Sequence, residues 1–381
     1  MKPFKVYYIN KIIVCMTALF ILTCSKKAGQ DSGEKILAKI DDKIITVDQF
    51  IDRVELTPHP VISAENEKQR KAVLLNNLII EKMLALEAED SSPLRNNKNF
   101  QAYLKGIQEQ AMREHLFYQE AYNQVKTENN KDVQKKADLL WQQYIKKVMA
   151  DKKLIFKNET FIKVSQLFYD LRTKAGESSN GSIAKQGLNN KELEKNMQEL
   201  NNILHQPFFR IENKVWTVED FKNALMSHSL VYRKKHISES EFPQQFKYAV
   251  ADLVRDLYLN REAYKRSLDE HPEVQRTVEM WKDAHIAEFL KNQIQPTTAK
   301  NKPDTSSLID KHEYFLTAYA DSVYRKYEQS IEVNLQALKN VQLTKIPLFA
   351  LQQYVPYPAA VPPFPMWIND NKLRYGESMN K

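Results

Sequence analysis

Residues 211–221 repeat residues 40–50 almost position for position, and this duplication limits the possible folds more than any local pattern does. The first stretch reads Ile40-Asp41-Asp42-Lys43-Ile44-Ile45-Thr46-Val47-Asp48-Gln49-Phe50. The second reads Ile211-Glu212-Asn213-Lys214-Val215-Trp216-Thr217-Val218-Glu219-Asp220-Phe221, an offset of 171. Chemical type is kept throughout except at Ile45/Trp216 and Gln49/Asp220. The likeness continues into 78–88 and 253–263, both apolar-periodic and ending in Glu-Ala, at an offset of 175. A weaker third match sets Leu154-x-Phe156, Phe161 and Val164 against Ile331-x-Val333, Leu338 and Val341, at an offset of 177.

Each copy therefore reads as a short strand, a turn, several helices, a hinge, one more helix and a closing strand. In the first, Ile36, Ala38 and Ile40 alternate as strand residues, Asp41-Asp42 make the turn, and Thr46 opens a helix as its N-cap, with Gln49 at the third position. Thr217 does the same in the second copy, with Asp220 at that position. Phe50, Val54, Phe221 and Leu225 fall on the inward faces of these helices. Helices are expected over 67–90 and 98–125, with a hinge at 127–132. Each closing segment, 154–164 and 331–341, is expected beside its own opening strand, 36–45 and 207–216, because short strands persist only when paired and covered. The competing arrangement sets 154–164 against 207–216, which are nearer in sequence.

Only 7 of 381 residues are glycine, against an ordinary share near 7%. That disfavours sandwiches, barrels and phosphate-cradling loops, whose turns need glycine. Abundant Lys, Glu, Gln, Leu and Ala favour helix. The expected fold is mainly α with small β-sheets (α+β), built as a tandem duplication. Its divisions are a signal peptide (1–23), a lipid-anchored tether (24–34), a first module (35–170), a linker and helix (171–205), a second module (206–345) and a Pro/aromatic tail (346–381).

At the N-terminus, Lys2, Lys5 and Lys11 precede an uncharged run from Ile12 to Thr23. A basic start and an apolar core this short describe a secretory signal rather than a membrane span. Ile21-Leu22-Thr23-Cys24 resembles the bacterial lipoprotein motif, with Thr23 where Gly or Ala is usual. That resemblance implies that Cys24 is acylated, becomes the first mature residue and tethers the protein to a membrane. The other cysteine, Cys15, lies in the removed segment, so the mature chain has one thiol and no internal disulfide. Removing residues 1–23 takes away three lysines and no acids, leaving a net charge of +5 from the whole chain's +8. This excess is dispersed among acids at helical spacing, as solvated helix faces are, so nucleic acid is not an expected partner.

Residues 38–50, followed by Leu74-Leu75-Asn76-Asn77-Leu78-Ile79-Ile80-Glu81-Lys82-Met83-Leu84-Ala85-Leu86-Glu87-Ala88, resemble the N-terminal module of SurA- and PrsA-type foldases. The likeness covers about 36–125 and, less fully, 208–295, and its motifs are structural. In that family the module leads into a parvulin-type prolyl isomerase domain and then returns for a closing helix and strand. Here neither hinge, at about 126–133 or 296–310, has room for such a domain, and no His-Ile-Leu strand or paired glycines occur between 126 and 205. The resemblance implies a duplicated foldase scaffold without its enzyme, acting on unfolded or nascent exported polypeptides from a lipid anchor in the bacterial envelope, facing the periplasm. The alternatives are a non-catalytic scaffold lipoprotein with one dedicated partner, for which the Pro/aromatic tail could serve, and a divergent peptidyl-prolyl isomerase.

No catalytic residues, cofactor or metal are expected. The eight histidines form no His-x-His or His-Glu-x-x-His spacing, and Gly176-Glu177-Ser178-Ser179-Asn180-Gly181 lies in a polar linker rather than on a strand-to-helix turn. A client-binding surface needs adaptable apolar groups. The candidates are Met112, Phe117, Tyr122, Met226, Tyr232 and Tyr258; each competes with an ordinary core role.

Overall fold

The computed structural model describes residues 35–58, 66–89, 92–126, 132–174, 198–293, 308–344 and 351–367. The signal segment, Cys24 and most of the 171–205 linker lie outside them. The described chain is α+β and mainly helical, with two small antiparallel sheets. None of its helices is long and apolar enough to cross a membrane.

Strands β1 (Ile36–Ile40) and β2 (Lys43–Thr46) form a hairpin that runs straight into α1 (Val47–Glu55). Strands β4 (Pro207–Ile211) and β5 (Lys214–Thr217) run into α7 (Val218–Leu225) in the same way. The correspondence is atomic. Asp41 and Glu212, equivalent at the offset of 171, both take the left-handed conformation at the hairpin turn, with φ 54° and 51°. Both first strands slip register at one place, between Ile36 and Ala38 and between Pro207 and Phe209. The Gln49 amide donates to Thr46 Oγ1 at 3.1 Å and the Asp220 amide donates to Thr217 Oγ1 at 3.2 Å. Asp220 returns the bond by accepting from the Thr217 amide at 2.9 Å, which closes the capping box. Phe50, Val54, Phe221 and Leu225 are buried, as their spacing requires.

The third strand of each sheet does not come from the expected place. Strand β3 (Ile155–Phe156) pairs with β4, and β6 (Ile331–Val333) pairs with β1. The sheets are ordered β3-β4-β5 and β2-β1-β6. Each hairpin is thus completed by the closing strand of the other repeat, which corrects the side-by-side expectation. The geometry is nevertheless the same in both. Phe156 faces Phe209 and Ile155 faces Arg210, while Val333 faces Ala38 and Glu332 faces Lys39. These pairs coincide under the offsets of 171 and 177. The next residue anchors both closers alike, the Lys157 amide donating to the Phe208 carbonyl at 2.9 Å and the Asn334 amide to the Leu37 carbonyl at 2.8 Å.

The closers are also shorter than expected. Helix α6 (Asn158–Lys174) begins two residues after β3, and α11 (Leu335–Asn340) begins after β6 with Asn334 as its cap. Phe161, Val164 and Phe168 therefore pack inward at helical spacing, not along a strand.

Other helices are α2 (Glu67–Glu89), α3 (Lys98–Phe117), α4 (Asn123–Val125), α5 (Val133–Val148), α8 (Phe242–Lys265), α9 (Pro272–Gln293) and α10 (Leu308–Tyr327). A π-turn at Tyr118–Tyr122 joins α3 to α4, interrupting the single helix expected over 98–125.

The chain divides into two compact units that are not the sequential modules 35–170 and 206–345. One holds Lys98–Val278 with Gln352–Pro358; the other holds the described residues before Lys98 with Glu279–Leu351 and 359–367. The exchange of closing strands accounts for this, since each core needs segments of both repeats. In the first unit, Val164 packs with Phe208, Phe209, Phe221, Phe246 and Leu253. In the second, Leu37, Ile40, Phe50, Leu74 and Met83 pack with Leu316, Val323, Val333 and Leu338. The tail belongs to these interiors: Tyr357 packs edge-on against Tyr103 at 5.3 Å in the first unit, and Phe364 and Trp367 are buried in the second. Residue Gly106 makes room for Tyr357, whose hydroxyl donates to the Ser227 carbonyl at 2.9 Å. A Cβ at 106 would overlap both groups.

Candidate functional site

None of the six candidate client-binding residues is exposed. Met112 is fully buried with Leu116, Leu259 and Val274. Phe117 is buried with Ala121, Val125 and Ala137, and Tyr122 is half-buried against them. Tyr258 belongs to the phenylalanine-rich core and donates its hydroxyl to Glu212 at 2.7 Å. Tyr232 packs against the same core between Phe242 and the Arg172 guanidinium, and burial pushes its hydroxyl well above the ordinary range. Met226 is half-buried just past α7. The six are spread over separate clusters and form no common surface. Periodicity places such residues on a helix stripe, but an inward and an outward stripe look the same until the neighbouring helices are known.

Large apolar side chains face solvent on the helices, at Leu139 and Ile162 among others, and also on both hairpins. Ile44 on β2 is 41% exposed and Val215 on β5 is 48% exposed, at equivalent positions of the two repeats. In the first unit, Val215 faces Arg210 across the sheet, and Arg210 faces Ile155, itself 48% exposed. Aligned residues share one face of a sheet. The open face of β3-β4-β5 thus carries the row Ile155–Arg210–Val215, apolar at both ends and cationic between. One residue along β5, Trp216 stacks on Phe209 at 5.2 Å, and the Lys214 ammonium lies 4.7 Å above the indole. Both β5 and β2 are outer strands with one described neighbour each. An outer strand with apolar, cation-flanked side chains can accept an extended peptide by strand addition.

A buried polar network lies in the same unit. The Asn260 amide donates to Glu109 at 2.9 Å and accepts from Arg113 at 2.6 Å. Asp256 takes His228 Nε2 at 3.0 Å and an Arg255 ion pair at 2.6 Å, with Arg113 Nε at 3.7 Å. Burial works to raise the Asp256 carboxyl, but the Arg255 and Arg113 guanidiniums and His228 outweigh it and hold it well below the usual carboxylate range. Burial pushes Glu109 the other way, up, against the opposing pull of Lys105, Arg113 and His228. The His–Asp pairing has the form of a catalytic dyad. Its carboxylate is also ion-paired to Arg255, and the network ties α3 to α8. In the other unit the position equivalent to Asp256 in the repeat is Glu81. Glu81 is held by Arg53 through two bonds of 2.8 Å.

Among the described residues, one group could hold a metal ion: His115, His271 and Glu273. His115 lies in the last turn of α3, and His271-Pro272-Glu273 opens α9. No spacing rule would have found it, because its two histidines lie on segments far apart in the sequence. No family model, curated protein or solved structure matches the chain.

Proposed function

We propose that the protein is a lipid-anchored chaperone of the bacterial envelope that holds unfolded exported polypeptides and has no prolyl isomerase activity. The observation that carries this reading is the recurrence, in two units, of one hairpin–capped-helix element whose outer strand exposes an apolar side chain, Ile44 in one and Val215 in the other. These are the segments that resemble the foldase module. A holder of many clients needs apolar contact without sequence demands, and main-chain pairing along an outer strand supplies it. The duplication would give one chain two such strands, raising its effective hold on a long client. The alternative of a scaffold that offers its Pro/aromatic tail to one partner is weakened, because Tyr357, Phe364 and Trp367 are already used inside the protein.

The test is aggregation of two unrelated chemically unfolded proteins, diluted with and without the purified chain. Suppression of both is expected, and Ile44→Glu/Val215→Glu is expected to lose much of it while keeping its circular dichroism. Failure to suppress either client would remove the holdase reading. The anchor has its own measurement: intact mass of the mature N-terminus should show an acylated Cys24, and a peptide still joining Thr23 to Cys24 would exclude it.

A further inference from the structure

We propose that His115, His271 and Glu273 form a binding site for a divalent transition-metal ion, with Zn2+ as the reference cation. The two imidazole rings lie 4.3 Å apart between centroids, tilted by 40°. His115 Nε2 is 3.1 Å from Glu273 Oε2. One ligand atom from each of the three residues lies within 4.8 Å of the others. Two imidazole nitrogens and one carboxylate oxygen are the donors that zinc and its neighbours prefer, and three protein ligands leave a fourth position for water or an incoming group. Ligands about 2.1 Å from a tetrahedral ion sit ~3.4 Å from one another. The widest gap therefore has to close by ~1.4 Å at most, within reach of side-chain rotation at a site where the Glu273 side chain is 51% exposed.

The backbone favours the arrangement. Pro272 takes the first position of α9, where its fixed φ suits a helix start, and His271 and Glu273 flank it. The Glu273 amide also donates to His271 Nδ1 at 3.3 Å, which orients that ring. The final turn of α3 supplies His115, so an ion would clamp two helices that the sequence places far apart. The His115–Glu273 contact already draws this corner together, and an ion would add bonds to all three side chains. Arg276, one turn into α9, lies near enough to His271 to act on it electrostatically. The Arg276 charge also opposes a cation there, which favours a site of modest rather than extreme affinity. The inference does not depend on the chaperone reading.

The experiment uses the full chain after chelator treatment, titrated with Zn2+ by calorimetry, together with His115→Ala/His271→Ala and Glu273→Gln. One saturable site is expected in the wild type, lost in the double variant and weakened at least tenfold in Glu273→Gln. A rise in melting temperature with Zn2+ should follow the same order. Substitution of Co2+ gives a second readout that needs no variant to fold, since a nitrogen- and oxygen-ligated tetrahedral site shows visible bands. Absence of saturable binding, absence of those bands, or equal affinity in Glu273→Gln and wild type would each overturn the site.

Discussion

Glu81→Ala is expected to destabilise its unit by about 3–5 kcal/mol, the cost of leaving a buried charge without its partner. The charge is Arg53, which is 1% exposed although it lies on a nine-residue helix. Its guanidinium donates to both Glu81 oxygens at 2.8 Å and to the Pro363 carbonyl at 3.0 Å. With the carboxylate gone, only that carbonyl remains of these acceptors, and one neutral oxygen does not offset the desolvation of a guanidinium. The double variant Arg53→Met/Glu81→Leu removes both charges and keeps the volume, so it is expected to regain most of the loss. Urea unfolding followed by Trp281 and Trp367 fluorescence, in a Trp141→Phe/Trp216→Phe background, isolates this unit. A single-variant loss below about 1 kcal/mol would mean that the pair is hydrated in solution rather than interior.

A larger effect is expected from cutting the chain. A fragment of residues 35–170 should fail to fold cooperatively, and one of residues 98–278 should succeed. The first fragment contains β1, β2 and β3, but β3 belongs against β4, and the hairpin lacks β6. It also lacks Leu316, Val323, Val333 and Leu338, which complete the core around Phe50 and Leu74. A two-stranded hairpin without cover is marginal in water. The second fragment carries a whole sheet and the core around Phe208 and Phe246. Thermal melts by circular dichroism distinguish them; a sigmoidal melt of 35–170 would restore side-by-side pairing.

The strand exchange also shows where reading of the sequence stops. The hairpins, their turns, the caps at Thr46 and Thr217 and the buried faces through Phe50 and Phe221 all follow from signals a few residues long, and all are found. The partner of each closing strand does not follow, because the repeat itself makes the closers interchangeable. Loop closure does not decide between the pairings. The exchanged sheets join one near pair, β3 with β4, and one distant pair, β1 with β6, whereas self-pairing would join two pairs of intermediate separation. Since closure entropy grows only with the logarithm of length, the two schemes differ by ~0.1 kcal/mol. The choice rests on which helices share a core, and that is a property of packing over the whole chain. The buried charges are hidden for a related reason: Glu81 and Asp256 are equivalent, yet Arg53 has Ala224 as its counterpart, and Asp256 takes cations from α3 and α8 instead. Likewise, the His115, His271 and Glu273 group exists only once α3 and α9 meet.

The exchange also imposes a schedule on a polypeptide that emerges from its N-terminus first. The earliest hairpin to appear must wait for nearly all of the remaining chain before the strand that completes its sheet arrives, whereas the interior sheet can close as soon as β5 is out. Until that strand arrives, the waiting hairpin and the apolar face of α2 lack the partners that cover them in the folded protein. The chain therefore matures from its middle outward, and while it does so it is itself the kind of incompletely folded polypeptide that a holding factor would recognise.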